Sequence, residues 1–417
     1  MCYNLVDKIH FSRYNVIKHK KRTVMNSNTT AKNKTSIIFT GDIGFDRYMN
    51  GKWEDEELFS PSMLDYFKSG DHVCINVEGA VIEVDENAPK GRFFHAMNPK
   101  CVGVFNKIGA DIWSIGNNHT MDMGTPGVIS TRAHAKENGV MCFGAGTNIR
   151  EASEPIYLDV AGGIGMFGVS YMPEDTPASE TEAGFFCWSD MDIIQERIKE
   201  IKARCRWCVI VAHGGEEFAA MPIPYTRERF LKYLDMGADV VVAHHPHVPE
   251  NYETTKDGKM IFYSLGNFIF DTDYQRAHPF TDTGLLLKLT FTEEKFEFSA
   301  VGTKLDRKTE RLDLGELPDI FADVNAEEYE LLTPLAMKAF IVDDKRKMVF
   351  LEPERFTNAD EETWNKYIYS TEPGGYLKGS HMDLEYVAPL ADKAESGEWK
   401  KSKLEKVKSY LLKQING

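Results

Sequence analysis

Val240-Val241-Val242-Ala243-His244-His245-Pro246-His247 is an apolar, strand-like run that ends in three imidazoles around one proline. Two other segments have the same form: Val209-Ile210-Val211-Ala212-His213-Gly214-Gly215 and Ile115-Gly116-Asn117-Asn118-His119. Two earlier ones, Ile37-Ile38-Phe39-Thr40-Gly41-Asp42 and Val73-Cys74-Ile75-Asn76-Val77-Glu78, end in acids. A strand that feeds a functional side chain into the loop at its carboxyl end is how an open α/β sheet builds a site. Neutral imidazole is the commonest ligand for a catalytic transition metal, and one fragment rarely supplies a whole coordination shell. Five such strand ends form the pattern of a metal centre.

Outward from these segments, β-rich runs alternate with helical ones. Strands are expected at 36–42, 73–78, 111–116 and 140–143. Helices are expected at 56–68, at 99–108 behind Pro99, and at 125–138 before Gly139. The pattern then changes. Gly162-Gly163 between 155–160 and 164–169 signals a hairpin. A loop at 173–184 leads to a helix at 190–204, the His213 strand, a helix at 227–236 and the Ala243 strand. Segments 259–264, 284–291 and 296–301 read as successive antiparallel strands. Crossover units followed by a meander imply two stacked sheets with helices outside. The expected division is a polar leader at 1–35, a catalytic domain at 36–303 and a mainly helical appendage at 304–417, including a helix at 401–413.

With 417 residues the chain has length for one large domain and an appendage. A composition of 42% hydrophobic and 27% charged residues is ordinary for a globular protein. The net charge of −15 argues against a nucleic-acid partner, which requires clustered Lys and Arg. The one basic cluster, His19-Lys20-Lys21-Arg22, lies in the leader and reads as a solvated tail. No run approaches the ~18–20 apolar residues of a membrane span, and the leader lacks a signal-peptide core. Seven scattered cysteines read as reduced thiols, so the expected location is the cytoplasm. Cys205-Arg206-Trp207-Cys208 has no second pair with which to complete a zinc site.

Taken singly, the polar residues are ambiguous. Asp42 either ligates a metal or caps a turn, Glu78 is a strand-end acid, and His213 is a ligand or a satisfied core histidine. Asn117-Asn118-His119 suits neither helix nor strand, and Asp122 is placed to hold the His119 ring in one tautomer and raise its pKa. His245-Pro246-His247 is the most specific element, because proline shapes a tight loop from which two imidazoles can reach one ion. His244 faces the other way by strand alternation and reads as structural.

The ordered set Gly-Asp, Asn-x-Glu, Asn-Asn-His-x-x-Asp, His-x-Gly, His-Pro-His and Ser264-Leu265-Gly266-Asn267-Phe268 resembles the CapA-type capsule and poly-γ-glutamate synthesis proteins. These are a branch of the calcineurin-like metallophosphatase superfamily, and the resemblance spans about residues 36–300. It implies a four-layer α/β/β/α sandwich. It also implies a metal shell of Asp42, Glu78, Asn118, His213, His245 and His247, with Glu78 where other members carry a bridging Asp. By the same resemblance His119, with Asp122, does the proton chemistry, and Arg47, Asn117 and Asn267 contact an anionic substrate. Two positions depart from the pattern. The usual Asp-x-His is Asp42-Ile43-Gly44, so the ion count stays at one or two. Gly214 stands where the branch often has Trp, which would enlarge the pocket.

Mixed nitrogen and oxygen donors favour Mn, Fe or Zn over Ca. The resulting expectation is a metal-dependent hydrolase acting on a peptide-like or phosphorylated anion. The alternatives are a non-hydrolytic epimerase and a poly-γ-glutamate-binding accessory protein, and the sequence leaves oligomeric state open. One scaffold hosts many chemistries, so fold alone does not decide among them.

Overall fold

The computed structural model describes residues 33–83, 94–171, 177–368, 384–397, 399 and 402–417. Nearly all of the leader, and part of the 173–184 loop, lie outside them. Two large sheets dominate. The first runs, edge to edge, through Arg311–Gly315, Phe296–Asp306, Thr283–Thr292, Lys34–Ile43, His72–Val77, Ile112–Ser114 and Met141–Phe143. Short strand Asn267–Ile269 pairs in parallel with the end of Lys34–Ile43, placing Asn267 beside Asp42. The second sheet runs Tyr252–Thr254, Met260–Phe262, Val240–His244, Trp207–His213, Ile164–Ser170 and Ile156–Leu158.

Strand alternation builds the layers. Ile37 and Phe39 face the second sheet and pack with Val209, Val211, Val240 and Val242, forming the core between the sheets. Their neighbour Ile38, with Val73 and Ile75, faces outward onto Met63, Phe67 and Phe105 of the helices Pro61–Phe67 and Val102–Lys107. In the second sheet Ile210, Ala212, Val241 and Ala243 face outward onto Ile194, Ile198 and Ile201 of Met191–Arg204, and onto Phe230 and Leu234 of Pro224–Met236. Central strands buried on both faces explain the unbroken Val/Ile runs. The architecture is the four-layer α/β/β/α sandwich, with C-terminal helices as an appendage.

Local signals set the element ends, and the helix expected at 56–68 spans only Pro61–Phe67. Ser60 caps the helix at Pro61 by accepting a hydrogen bond from the Met63 amide. Gly162 and Gly163, both at positive φ, turn the antiparallel hairpin of Ile156–Leu158 and Ile164–Ser170.

Two strand assignments differ. Met260–Phe262 does not start the meander. It lies parallel to Val240–His244 in the second sheet and pairs with Tyr252–Thr254, which the sequence pattern did not reveal. Strand Phe296–Asp306 also runs through residues 303 and 304, and Arg311–Gly315 adds to the same sheet, which therefore continues past residue 303.

The first long C-terminal helix, Ala326–Leu351, opens with a capping box between Asn325 and Glu328. It packs through Leu332, Leu335 and Ala339 against Val407 and Leu411 of Ser402–Asn416. Its Met337 and Phe340 bury Ala219 and Ile223, from the loop after the His213 strand. No described helix is long and apolar enough to cross a membrane.

Gly41 is where strand Lys34–Ile43 meets the Ser264–Asn267 turn. The Asp42 amide donates to the Gly266 carbonyl at 2.9 Å, and a Cβ on Gly41 would overlap that same carbonyl. Gly41→Ala is expected to destabilise the protein by about 1–3 kcal/mol, through backbone displacement in a packed core. Gly103→Ala, on an exposed helical position with open space around it, is expected to be neutral or to stabilise by about 0.5–1 kcal/mol. Urea denaturation of the two variants checks the contrast.

Candidate metal centre

Parallel pairing aligns the carboxyl ends of the central strands of both sheets. Asp42 sits at the end of its strand, Glu78 follows Val77, His213 ends Trp207–His213 and His245 follows His244. Ligand atoms of Asp42, Glu78 and His247 lie within 4.8 Å of one another, and all three residues are buried. The Glu78 Oε1 is 3.7 Å from His247 Nε2, 3.9 Å from His213 Nε2 and 4.0 Å from His119 Nε2. Asn118 Oδ1 approaches His213 Nε2 at 2.8 Å.

Asp42, His213 and His247 are held from behind. Asn76 Nδ2 donates to Asp42 Oδ1 at 2.8 Å and lies 3.2 Å from His213 Nδ1, and the His245 amide donates to Asp42 Oδ2 at 3.3 Å. His247 Nδ1–H donates to Asn267 Oδ1 at 2.9 Å, which turns Nε2 toward Glu78. The two amide hydrogens of Asn267 are taken by Gln275 and the Thr281 carbonyl. Asn267 is thus buried beside His247, with its side-chain polar atoms bonded to protein groups. Asn117 is also buried. It donates to the Val77 carbonyl and accepts from the Gly79 and His119 amides, tying the Glu78 and Asn118 loops together. Arg47 is exposed and paired with Asp273 at 2.8 Å.

The loop backbone is unusual at both histidines. His245 has φ 102° and His247 has φ 59°, the left-handed region that L residues rarely adopt. His244, still in strand phase, points the other way and donates from Nε2 to the Thr40 carbonyl at 2.9 Å, linking the two sheets.

Burial governs the electrostatics. Desolvation drives the Glu78 pKa well above the ordinary carboxylate value, and Asp42 adds to the rise. Burial also opposes charge on Asp42, yet its hydrogen bond from His247 brings its pKa below the usual value. For His247, burial is outweighed by Glu78 and Asp42, and its pKa rises to about 9. Desolvation lowers His245 to about 4, and His213 well below 6.5. His119 Nδ1 does meet Asp122 Oδ2, at 2.8 Å. Even so, burial and the facing His95 lower the His119 pKa to about 4, so the expected rise is corrected.

The donor set fits a divalent cation. Both Glu78 oxygens and His245 Nδ1 are buried without a hydrogen-bond partner, and a desolvated carboxylate needs a cation or donors to offset its lost hydration. The two departures have structural counterparts. A Cβ on Gly44 would lie 2.7 Å from the Phe270 ring, so a histidine at position 44 has no room. A Cβ on Gly214 would lie 2.7 Å from the Trp188 ring. The buried Trp188 therefore fills the space that a larger pocket would need.

Three neighbours escaped the sequence reading. The His95 ring lies 3.9 Å from the His119 ring, and His95 is bonded to Asp46. Glu217, four residues past His213, lies close enough to His245 and His247 for their charges to lower its pKa. Only its place after a Gly-Gly strand end could have drawn notice to it.

The family model of the bacterial capsule synthesis protein PGA_cap matches residues 36–272. This chain belongs to the PGA_cap family. That family is a CapA-type branch of the metallophosphatase superfamily. The PGA biosynthesis protein CapA of Bacillus subtilis (strain 168) is 29% identical over 249 residues, 58% of this chain and 65% of its own length. The capsule biosynthesis protein CapA of Bacillus anthracis is 28% identical over 257 residues, 58% of this chain and 62% of its own. A probable polyglutamine synthesis accessory protein of Mycobacterium tuberculosis is 25% identical over 236 residues, 53% and 62% of the two chains. The chain thus spans less than two thirds of the length of these relatives. A crystal structure of a Thermus thermophilus protein superposes with a TM-score of 0.34 at 10% identity, covering 64% of this chain and 98% of its own. The fold of the PGA_cap chain rests on its own strand order.

His245→Ala is expected to lower bound metal to a small fraction of the wild-type content. His244→Ala should keep the metal while losing about 1–3 kcal/mol of stability, because the Thr40 carbonyl is left buried without a donor. Elemental analysis and denaturation of both variants separate the two histidines. Asn267→Ala should weaken metal affinity about 10–100-fold by releasing the His247 ring, as read by competition against a fluorescent chelator.

Proposed function

We propose that the chain is a metal-dependent hydrolase acting on an anionic, peptide-like substrate of the poly-γ-glutamate kind. The observation that carries this reading is the Glu78 carboxylate, sealed with no hydrogen-bond partner among three imidazoles. Asp42, Glu78, His245 and His247, with Asn118 and His213, would hold one ion of Mn, Fe or Zn. Phe270 fills the space that a further histidine at position 44 would take. A divalent ion bound there supplies Lewis-acid polarisation and activation of water.

The remaining steps belong to side chains of this chain. Asp122 accepts the Nδ1–H of His119, so the neutral ring turns its unprotonated Nε2 toward the Glu78 side of the site. His119 is therefore set to take a proton from an attacking nucleophile and return it to the leaving group. Asn117 fixes the loops that carry Glu78 and Asn118, so the proton acceptor and the metal ligands keep one relative position. The names of the B. subtilis and B. anthracis relatives, in PGA and capsule biosynthesis, support this substrate class. The accessory title of the mycobacterial relative favours a second reading, binding of the polymer without turnover.

The purified chain, loaded with Mn²⁺, is expected to hold near one ion per chain and to release glutamate from a γ-glutamyl oligomer or phosphate from a generic phosphoester. His119→Asn should keep the metal and slow turnover by about 10²–10⁴, whereas Asn118→Ala should lose metal. Tight polymer binding without release of either product would replace hydrolysis with the accessory reading.

A further inference from the structure

Two backbone hydrogen bonds tie the loop after the His213 strand to the loop that carries His245 and His247. The Gly214 amide donates to the His244 carbonyl at 3.0 Å, and the Phe218 amide donates to the Pro246 carbonyl at 2.8 Å. The second bond joins strained segments, because Phe218 has φ 63° and Pro246 is flanked by His245 at 102° and His247 at 59°. Left-handed backbone in such residues costs free energy and persists only where neighbouring contacts over-determine it. For Phe218 those contacts come from both parts of the chain. Its ring stacks on the buried His278 ring, with centroids 3.6 Å apart. Its carbonyl accepts from Nε2 of Gln414, on the helix Ser402–Asn416. Gln414 is itself fixed, being 1% exposed. Its other Nε2 hydrogen goes to Asp343 Oδ2 at 2.5 Å, and Arg346 donates to Asp343 Oδ1 and to the Gln414 carbonyl, each at 2.7 Å. Phe218 alone therefore links the two regions, its N–H to the histidine loop and its C=O to the C-terminal helix.

Resting on the reading of His245 and His247 as metal ligands, we infer that Gln414 is a positioning residue for the metal centre. Through Phe218 it holds the His245-Pro246-His247 loop closed, so the appendage and the ion stabilise one another. Both hydrogens of the Gln414 amide have acceptors in a place closed to water, where losing the donor leaves the Phe218 carbonyl and the Asp343 carboxylate short of a partner. The Phe218 segment then has less to hold it in its strained backbone, and the histidine loop loses a firm anchor at its middle residue. The coupling is reciprocal. Whatever factor Gln414 adds to metal affinity, the ion returns as firmer docking of Ser402–Asn416. The histidine loop lies within residues 36–272, the segment matched to the family, and Gln414 lies outside it.

The test uses the full chain, titrated with Zn²⁺ and, separately, with Mn²⁺ in competition with a fluorescent chelator. Gln414→Met keeps the length of the side chain and removes both N–H donors. It should weaken binding of at least one ion about tenfold, the lower end of the range for residues that hold metal ligands in place. Val407→Ala, which thins the apolar contact of the same helix with Ala326–Leu351, should bind metal as wild type does. In wild type, saturating metal should slow hydrogen exchange across residues 402–416 by a similar factor, a measurement that needs no variant to fold. Gln414→Met should abolish that protection. Equal loss of affinity in Val407→Ala, undiminished affinity in Gln414→Met, or no metal-dependent protection of 402–416 in wild type would overturn the inference and leave the metal site standing. Binding of neither ion by wild type would remove the metal reading and this inference together.

Discussion

A carboxylate pair closed off from water where two sheets meet sets the terms for the rest of this molecule. Asp42 and Glu78 are fully buried, and removing a carboxylate from water costs several kcal/mol unless charge and hydrogen bonds offset it. Asp42 obtains donors from Asn76, the His245 amide and His247. Glu78 obtains none. The surroundings hold both acids in place in spite of that cost. The Gly266 carbonyl fixes the Asp42 backbone, and two histidines adopt left-handed backbone so that their loop can close over the pair. A folded chain that maintains an unpartnered carboxylate and two strained residues at one point has a site that could hold a cation.

The histidine-bearing strand ends could be read from sequence because their chemistry conflicts with their setting. An imidazole directly after four aliphatic residues is unusual in a buried strand, so Val240–His245 and Val209–His213 declare both a strand and a site. The layers followed from the same runs, since strands covered on both faces lose polar alternation. Met260–Phe262 was harder to place. Three apolar residues carry no information on strand direction, and only the tertiary context sets them parallel to Val240–His244. Strand Phe296–Asp306 was shortened because its exposed face reads as polar and its inner face ends in small residues such as Gly302.

The site residues that misled did so through neighbours distant in sequence. Asp122 is where the three-residue spacing put it, yet the His119 pKa is set chiefly by burial and by His95, which no spacing connects to it. Gly214 suggested empty space, but Trp188 arrives from another loop to fill it. Asn267 is assigned to substrate by resemblance alone, and its three hydrogen bonds go to His247, Gln275 and the Thr281 carbonyl. In each case a residue type was recognised correctly as unusual, and its partner decided what it does.

The division of labour between the sandwich and its appendage follows from where each is anchored. The residues proposed to hold the metal hang on central strands, the stiffest elements available, and ligand geometry tolerates little displacement. The 216–223 segment hangs on Phe218 and on the C-terminal helices instead. Gln414 donates to the Phe218 carbonyl and to Asp343, and Arg346 bonds both Asp343 and the Gln414 carbonyl. A loop clamped by a second layer can change its side chains without disturbing the strand ends that carry Asp42, Glu78 and His213. In this chain the loop's Glu217 meets the appendage through its ion pair with Lys347.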